Sequence, residues 1–249
     1  MVFWVSAFLD FAPTDFDRGV AFWRDVTGYD VSPPRGERDE FATLVPPTGH
    51  DYLRVQRLGE GESRIHLDLH VEDPRAAADR ATSLGASEVV DQGYVVLTSP
   101  GGLTFCFVSH PGSQRPEPVT WPTGQRSMVY QVCLDLPAAA YDRECAFWAA
   151  MLDAEPEVLH ARPEFAWLRP RRQLALDLLL QRLEEADGPV RAHLDLGTDD
   201  RPAEVARHQR LGATARVVEQ FWTVLADPTG RTYCITDRDP GHGRLVLRP

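Results

Sequence analysis

The hydrophobic and polar positions of the chain follow strand-like and helix-like periods in turn. Strand-like runs lie at 3–11, 40–45, 51–58, 64–71, 93–98 and 103–108. Between the first two runs, apolar residues from Phe16 to Val26 recur at helical spacing and stop at Gly28. A second helix is predicted to begin at Asp73 and Pro74, an N-cap followed by proline at the first helical position. These elements predict an α+β fold with mixed sheets and helices on one face.

The pattern then occurs a second time. Five short matches keep the same order, with offsets between 125 and 128: Ala21-Phe22-Trp23 with Ala146-Phe147-Trp148, Gln56-Arg57-Leu58 with Gln181-Arg182-Leu183, His66-Leu67-Asp68-Leu69 with His193-Leu194-Asp195-Leu196, Leu84-Gly85-Ala86 with Leu211-Gly212-Ala213, and Cys106 with Cys234. Such a tandem duplication predicts two copies of one domain. We place them at 1–110 and 126–240, joined by a proline- and glycine-rich linker at 111–125 and followed by a C-terminal tail at 241–249.

Charge and composition narrow the classes of partner. The net charge of −11 argues against nucleic acid and anionic membrane, because both need clustered basic residues. The apolar N-terminus has no basic segment and is interrupted by Asp10, so we expect no signal peptide and a cytoplasmic protein. None of the four cysteines forms a C-x-x-C pair, which favours reduced, buried thiols. A small molecule is the expected partner.

Three motifs carry a family resemblance, and they recur in both halves. They are the Asp17-Arg18-x-x-Ala21-Phe22-Trp23 helix, the His66-Leu67-Asp68-Leu69 strand and the Asp227-Pro228-x-Gly230-x-x-x-Cys234 turn and strand. With these motifs the sequence resembles the vicinal-oxygen-chelate (VOC) superfamily of glyoxalases, bleomycin resistance proteins and extradiol dioxygenases. More narrowly, it is similar to the glyoxalase-like domain proteins of actinobacteria. The resemblance implies two tandem VOC domains, each of two paired βαβββ modules that curl a mixed sheet into a cup with the helices outside.

The resemblance also implies where a metal would bind. Metal-dependent members use a first-strand residue, a histidine and a last-strand glutamate, and those positions hold Ser6, His66 and Cys106 in the first copy and Gln131, His193 and Cys234 in the second. Because cysteine replaces glutamate in both copies, and serine is a weak neutral ligand, we expect no metal cofactor. The alternative is a divalent metal (Zn, Fe, Ni or Mn) held by Gln131, His193 and Cys234, since thiolate and imidazole together bind Zn²⁺.

Alternation along a strand places His66, Asp68 and His70 on one face. A carboxylate beside an imidazole can orient the ring and raise its pKa, as a general base requires, so the catalytic candidates are His66, Asp68, His193 and Asp195. The alternative role of these residues is a polar network that fixes the curvature of the sheet.

The ligand-binding candidates are Ser6, His70, Cys106, Gln131, Trp167, Gln181, Trp222 and Cys234. Trp167 and Trp222 lie on strand-like segments and would give a flat, mostly apolar ligand an aromatic wall, or would instead fill the cup. Gln181 would bind a ligand or satisfy a sheet edge.

Three functions therefore stay open. The first is metal-free binding, with or without transformation, of a small aromatic or apolar molecule. The second is a metal-dependent lyase, isomerase or dioxygenase, and the third is a non-catalytic interaction module. The chain would be a monomer acting as an internal pseudo-dimer, or a homodimer. Differences such as Ser6 against Gln131 and Thr43 against Trp167 favour a ligand in the second copy.

Overall fold

A computed structural model describes residues 1–159, 162–170 and 173–245. The first copy contains β1 (Trp4–Phe11), α1 (Phe16–Thr27), β2 (Asp30–Val31), β3 (Phe41–Val45), β4 (Leu53–Arg57), β5 (Arg64–His70), α2 (Pro74–Ser83), β6 (Ser87–Asp91), β7 (Val95–Thr98) and β8 (Thr104–Val108). After β9 (Val119–Thr120), the second copy contains β10 (Arg126–Leu136), α3 (Tyr141–Leu152), β11 (Pro156–Leu159), β12 (Arg162–Leu168), β13 (Asp177–Arg182), β14 (Arg191–Thr198), α4 (Arg201–Arg210), β15 (Thr214–Val218), β16 (Trp222–Ala226) and β17 (Thr232–Thr236).

Each copy contributes one mixed sheet. The first has the strand order β2-β3-β4-β1-β5-β8-β7-β6, and the second has the order β11-β12-β13-β10-β14-β17-β16-β15, with β9 paired to β10. The pairs β5 with β8 and β14 with β17 are parallel. The predicted α+β fold and its repeated strand-helix-strands order are confirmed. The domain limits at 1–110 and 126–240 stay a prediction.

Most predicted elements lie within two residues of their observed bounds, and the exceptions have a physical reason. Gly28 ends α1 in the left-handed conformation, with φ of 69°, and Asp73 caps α2 by accepting a hydrogen bond from the amide of Ala76. The sequence pattern missed β6, because all five of its residues are exposed and show no alternation. The predicted linker contains β9, which pairs with β10 in antiparallel orientation.

No helix within the described ranges is long and apolar enough to cross a membrane.

The chain divides into two compact units built from non-consecutive segments. The first unit contains Met1–Phe8, Arg64–Gln114 and Val132–Ala192. The second unit contains Leu9–Ser63, Arg115–Gln131 and the described residues from His193 onward.

The core of the first unit is aromatic. Phe147 and Trp148 on α3 pack against Phe105 on β8, with ring centroids 5.7 and 5.4 Å away. The indole N–H of Trp148 donates to Glu144, which also accepts from the amide of Gly101. Burial raises the pKa of Glu144 despite these hydrogen bonds.

The core of the second unit follows the same plan. Trp23 on α1 packs against Tyr233 on β17 at 5.3 Å and donates its indole N–H to Asp227. The guanidinium of Arg207 on α4 lies 3.5 Å from the ring centre of Trp121, a residue of the predicted linker. Phe105 and Tyr233 therefore lie on the face of each strand that packs against a helix. The next residue of each strand, Cys106 or Cys234, points to the opposite face.

Candidate functional site

The parallel strand pairs bring the repeated motif together. In the first copy Asp68 on β5 lies opposite Cys106 on β8, and in the second Asp195 on β14 lies opposite Cys234 on β17. The motif histidine stands two residues before each aspartate and therefore shares its face. The sequence indicates the histidine and aspartate as a pair, whereas the cysteine joins them only through the strand register.

The N-terminal cluster consists of His66, Asp68 and Cys106 and lies within the first unit. Their potential ligand atoms lie within 4.8 Å of one another, and His66 Nε2 is 3.8 Å from Asp68 Oδ1. The ring of Phe8 stacks on the imidazole of His66, with centroids 4.5 Å apart and an interplanar angle of 9°. An apolar ring therefore covers one face of this histidine.

Ser6 and His70, two of the predicted ligand-binding residues, contact each other. Both side chains are fully buried, and Ser6 Oγ lies 2.7 Å from His70 Nε2. His70 Nδ1 lies 2.8 Å from the carbonyl oxygen of His110. Because a carbonyl only accepts, this geometry assigns the ring proton to Nδ1, and Nε2 accepts from the Ser6 hydroxyl. The contact supports a structural role, and ligand binding by these residues stays a prediction.

The C-terminal cluster consists of His193, Asp195 and Cys234 and lies within the second unit. His193 Nε2 is 3.3 Å from Asp195 Oδ1 and 3.6 Å from Cys234 Sγ. These side chains are buried, with 8%, 4% and 7% of their residues' surface exposed. Gln131 on β10 donates from Nε2 to Asp195 Oδ2 at 2.5 Å. The carboxylate is therefore held through one oxygen.

The other oxygen of that carboxylate lacks a hydrogen-bond donor. Asp195 Oδ1 is buried and has no hydrogen-bond partner in the part of the chain that the structure describes. In the N-terminal cluster, by contrast, neither oxygen of Asp68 is buried without a hydrogen-bond partner. Leaving a buried polar group unpaired costs about 1–3 kcal/mol, so such an atom points to a ligand or a cation.

The donor atoms of the C-terminal cluster suit a divalent metal. They are one imidazole nitrogen, one carboxylate oxygen and one thiol sulfur, whereas the trio predicted from the sequence contained Gln131 and no carboxylate. In the structure the amide of Gln131 binds Asp195, and Asp195 joins His193 and Cys234. The sequence motif predicts that Asp195 orients the histidine, and only the register between β14 and β17 reveals it as a potential ligand.

The remaining predicted residues fall in different units. Trp222 is half-buried in the second unit, two residues before Val224, which pairs with Cys234, so alternation places it on the face of the C-terminal cluster. Trp167 and Gln181 belong to the first unit. The guanidinium of Arg169 covers the Trp167 ring at 4.4 Å, and Gln181 Oε1 lies 3.7 Å from Cys133 Sγ, so both side chains have neighbours of their own.

Comparisons with known proteins give one family and many similar folds. The model of the Glyoxalase-like domain matches residues 6–108 and 131–236, and no curated protein matches the chain. The Mn(II)-bound glyoxalase of Novosphingobium aromaticivorans is 18% identical, with a TM-score of 0.64 over 94% of this chain and 81% of that one. The 2,2',3-trihydroxybiphenyl 1,2-dioxygenase of Sphingomonas wittichii is 15% identical, with a TM-score of 0.64 over 99% and 92%. An extradiol ring-cleaving dioxygenase of B. fuscum is 15% identical, with a TM-score of 0.65 over 97% and 73%. At these identities the likeness to solved structures shows the fold.

Proposed function

The chain belongs to the glyoxalase-like domain family of the VOC superfamily, and we propose that it binds a small hydroxylated aromatic molecule at the C-terminal cluster. The observation that carries the proposal is the buried acceptor Asp195 Oδ1, which has no donor within the described residues and lies 3.3 Å from His193 Nε2. A ligand hydroxyl would supply the missing donor.

The surroundings of the cluster favour an aromatic ligand. Trp222 and Val224 on β16 lie on the same face of the sheet as Cys234 on β17, and both are half-buried. They therefore offer apolar surface beside the polar side chains of the C-terminal cluster. The relatives support the same class, because one of them acts on 2,2',3-trihydroxybiphenyl. In the first copy the stacked ring of Phe8 covers His66, which makes the second copy the better candidate.

The arrangement of His193 and Asp195 suits proton transfer. A neutral imidazole can take a proton from a bound hydroxyl at Nε2, and the neighbouring carboxylate stabilises the imidazolium that results. If the protein is an enzyme, it would act as a lyase or oxygenase of this superfamily. The apolar contacts would hold the ring while His193 holds the proton.

Two forms of the proposal differ in whether a metal takes part. The metal-free form, which the sequence favours, uses only the hydrogen bonds of His193 and Asp195. The metal-dependent form is favoured by the carboxylate that Asp195 adds to His193 and Cys234. A metal held by these three residues would polarise a ligand oxygen as a Lewis acid.

Isothermal titration calorimetry with catechol and 2,2',3-trihydroxybiphenyl tests this proposal. We expect His193→Gln to weaken binding by at least about tenfold, the equivalent of one hydrogen bond of roughly 1.4 kcal/mol. The matched variant His66→Gln, in the other copy, should bind as the wild type does. The proposal is wrong if the wild type binds neither compound, whether chelator or zinc is added, or if His66→Gln alone loses binding. Binding in chelator selects the metal-free form, and binding only with zinc selects the metal-dependent one.

The oligomeric state belongs to the same proposal. Because one chain carries both copies of the repeat, we propose a monomer that acts as an internal pseudo-dimer, with domains at 1–110 and 126–240. Light scattering on the eluting peak separates the monomer from the homodimer.

A further inference from the structure

We propose that the C-terminal cluster is a zinc-type site in which Asp195, rather than Gln131, completes the ligand set with His193 and Cys234. The inference deepens the proposed function, because it concerns the same residues. It differs from the arrangement implied by the sequence, in which the first-strand residue binds the metal directly.

Two of the three distances between ligand atoms in the cluster match the edges of a tetrahedron around a metal ion. Bonds of about 2.0–2.1 Å to nitrogen and oxygen and about 2.3 Å to sulfur separate nitrogen from oxygen by about 3.3 Å and nitrogen from sulfur by about 3.6 Å. In the structure His193 Nε2 lies 3.3 Å from Asp195 Oδ1 and 3.6 Å from Cys234 Sγ. Imidazole, carboxylate and thiolate are also the three side-chain ligands that Zn²⁺ accepts, and three protein ligands leave a fourth position open.

The buried carboxylate gives a second, independent reason. Asp195 is 4% exposed, and its Oδ1 has no hydrogen-bond partner among the residues described. A bound cation would compensate that oxygen. Gln131 holds the other oxygen at 2.5 Å and so fixes the direction in which Oδ1 points. We therefore assign Gln131 as a positioning residue.

The N-terminal cluster has the same residue types but lacks these features. His66 Nε2 lies 3.8 Å from Asp68 Oδ1, wider than a tetrahedral edge, and a phenyl ring stacks on the imidazole. Ser6, at the position that corresponds to Gln131, binds His70. The contrast predicts one ion per chain.

Binding needs no redox partner. The thiol proton of Cys234 leaves to the buffer as the sulfur–metal bond forms, and the imidazole binds through the lone pair of Nε2. The overall step exchanges one proton for one divalent ion.

Cobalt titration of the full-length, tag-free chain tests the inference, because a thiolate bound to Co²⁺ gives a charge-transfer band that Zn²⁺ abolishes on displacement. We expect saturation at one ion per chain, loss of the band in Cys234→Ser and an unchanged band in the matched variant Cys106→Ser. Absence of a band in the folded wild type, its survival in Cys234→Ser or saturation at two ions per chain overturns the inference.

A second comparison identifies the third ligand. Asp195→Asn removes the proposed ligand, and Gln131→Ala removes only the residue that positions it, for which a loss of about 10–100-fold in metal affinity is usual. We expect the larger loss in Asp195→Asn, and the reverse order would identify Gln131 as the ligand and overturn the assignment. Failure of cobalt binding would leave aromatic binding in chelator intact, so the two proposals fail separately.

Discussion

The unpaired oxygen of Asp195 predicts that this residue costs stability when no metal or ligand is bound. Asp195→Asn keeps the shape of the side chain and removes its charge. The carbonyl oxygen of the asparagine can still accept from Gln131 Nε2, now 2.5 Å from Asp195 Oδ2. Its amide N–H would replace Oδ1, 3.3 Å from His193 Nε2, and can donate there when the imidazole is neutral.

The expected magnitude follows from two opposing contributions. A hydrogen bond from the new amide N–H, which takes the place of Oδ1, removes the penalty of about 1–3 kcal/mol for an unpaired buried oxygen. Replacing a charged acceptor by a neutral one weakens the hydrogen bond from Gln131 by roughly 1 kcal/mol. The net effect is an increase of about 1 kcal/mol in the free energy of unfolding, or about 2–4 °C in Tm for a chain of this size. With zinc present, the wild type should be more stable than the variant. Zinc at one hundred times its Kd stabilises the wild type by about 2.7 kcal/mol and should not stabilise the variant.

Urea unfolding at about pH 8, where an ordinary histidine is neutral, measures both effects, first with chelator and then with zinc. Asp68→Asn is the matched control, because no oxygen of Asp68 is buried without a partner, and it should gain no stability. If Asp195→Asn is less stable than the wild type in chelator, or if zinc stabilises both proteins equally, then the Oδ1 oxygen of Asp195 is neither a cost to the metal-free protein nor a zinc ligand.

Three further predictions concern residues outside the C-terminal cluster. Burial lowers the pKa of His208, so the unfolded chain binds a proton that the folded chain does not. The free energy of unfolding, measured in urea, should therefore fall as the pH drops below about 6.5. In His208→Gln it should depend less on pH over the same range. Asp73→Ala removes the cap of α2 and should cost about 1 kcal/mol, with Asp200→Ala on α4 giving a similar loss in the same assay. Ser6→Ala removes the hydroxyl that donates to His70 and should cost about 1–3 kcal/mol by thermal unfolding while leaving cobalt binding unchanged.

The elements of the fold could be predicted because their signals are local. Gly28 ends α1 and Asp73 caps α2 through residues at most four positions away, and the repeated histidine-aspartate motif lies on one strand in each copy. The exposed strand β6 could not be predicted, because its burial does not alternate.

The site could be predicted only in part, because its contacts join residues far apart in the chain. Cys234 meets Asp195 through the parallel register of β14 and β17, and Gln131 reaches Asp195 from β10. The pairing of Ser6 with His70 spans 64 residues, so strand alternation could place both on one face but could not identify them as partners. Which oxygen of Asp195 lacks a donor depends on the contact with Gln131, which binds only Oδ2.

Anomalous diffraction at the zinc edge, from crystals grown with equimolar zinc, would locate the ion directly and identify its ligands. We expect one strong peak within bonding distance of His193 Nε2, Asp195 Oδ1 and Cys234 Sγ. A map without a peak at these atoms, or with a peak of equal height between His66, Asp68 and Cys106, would show that the assignment of a single zinc site to the C-terminal cluster is wrong.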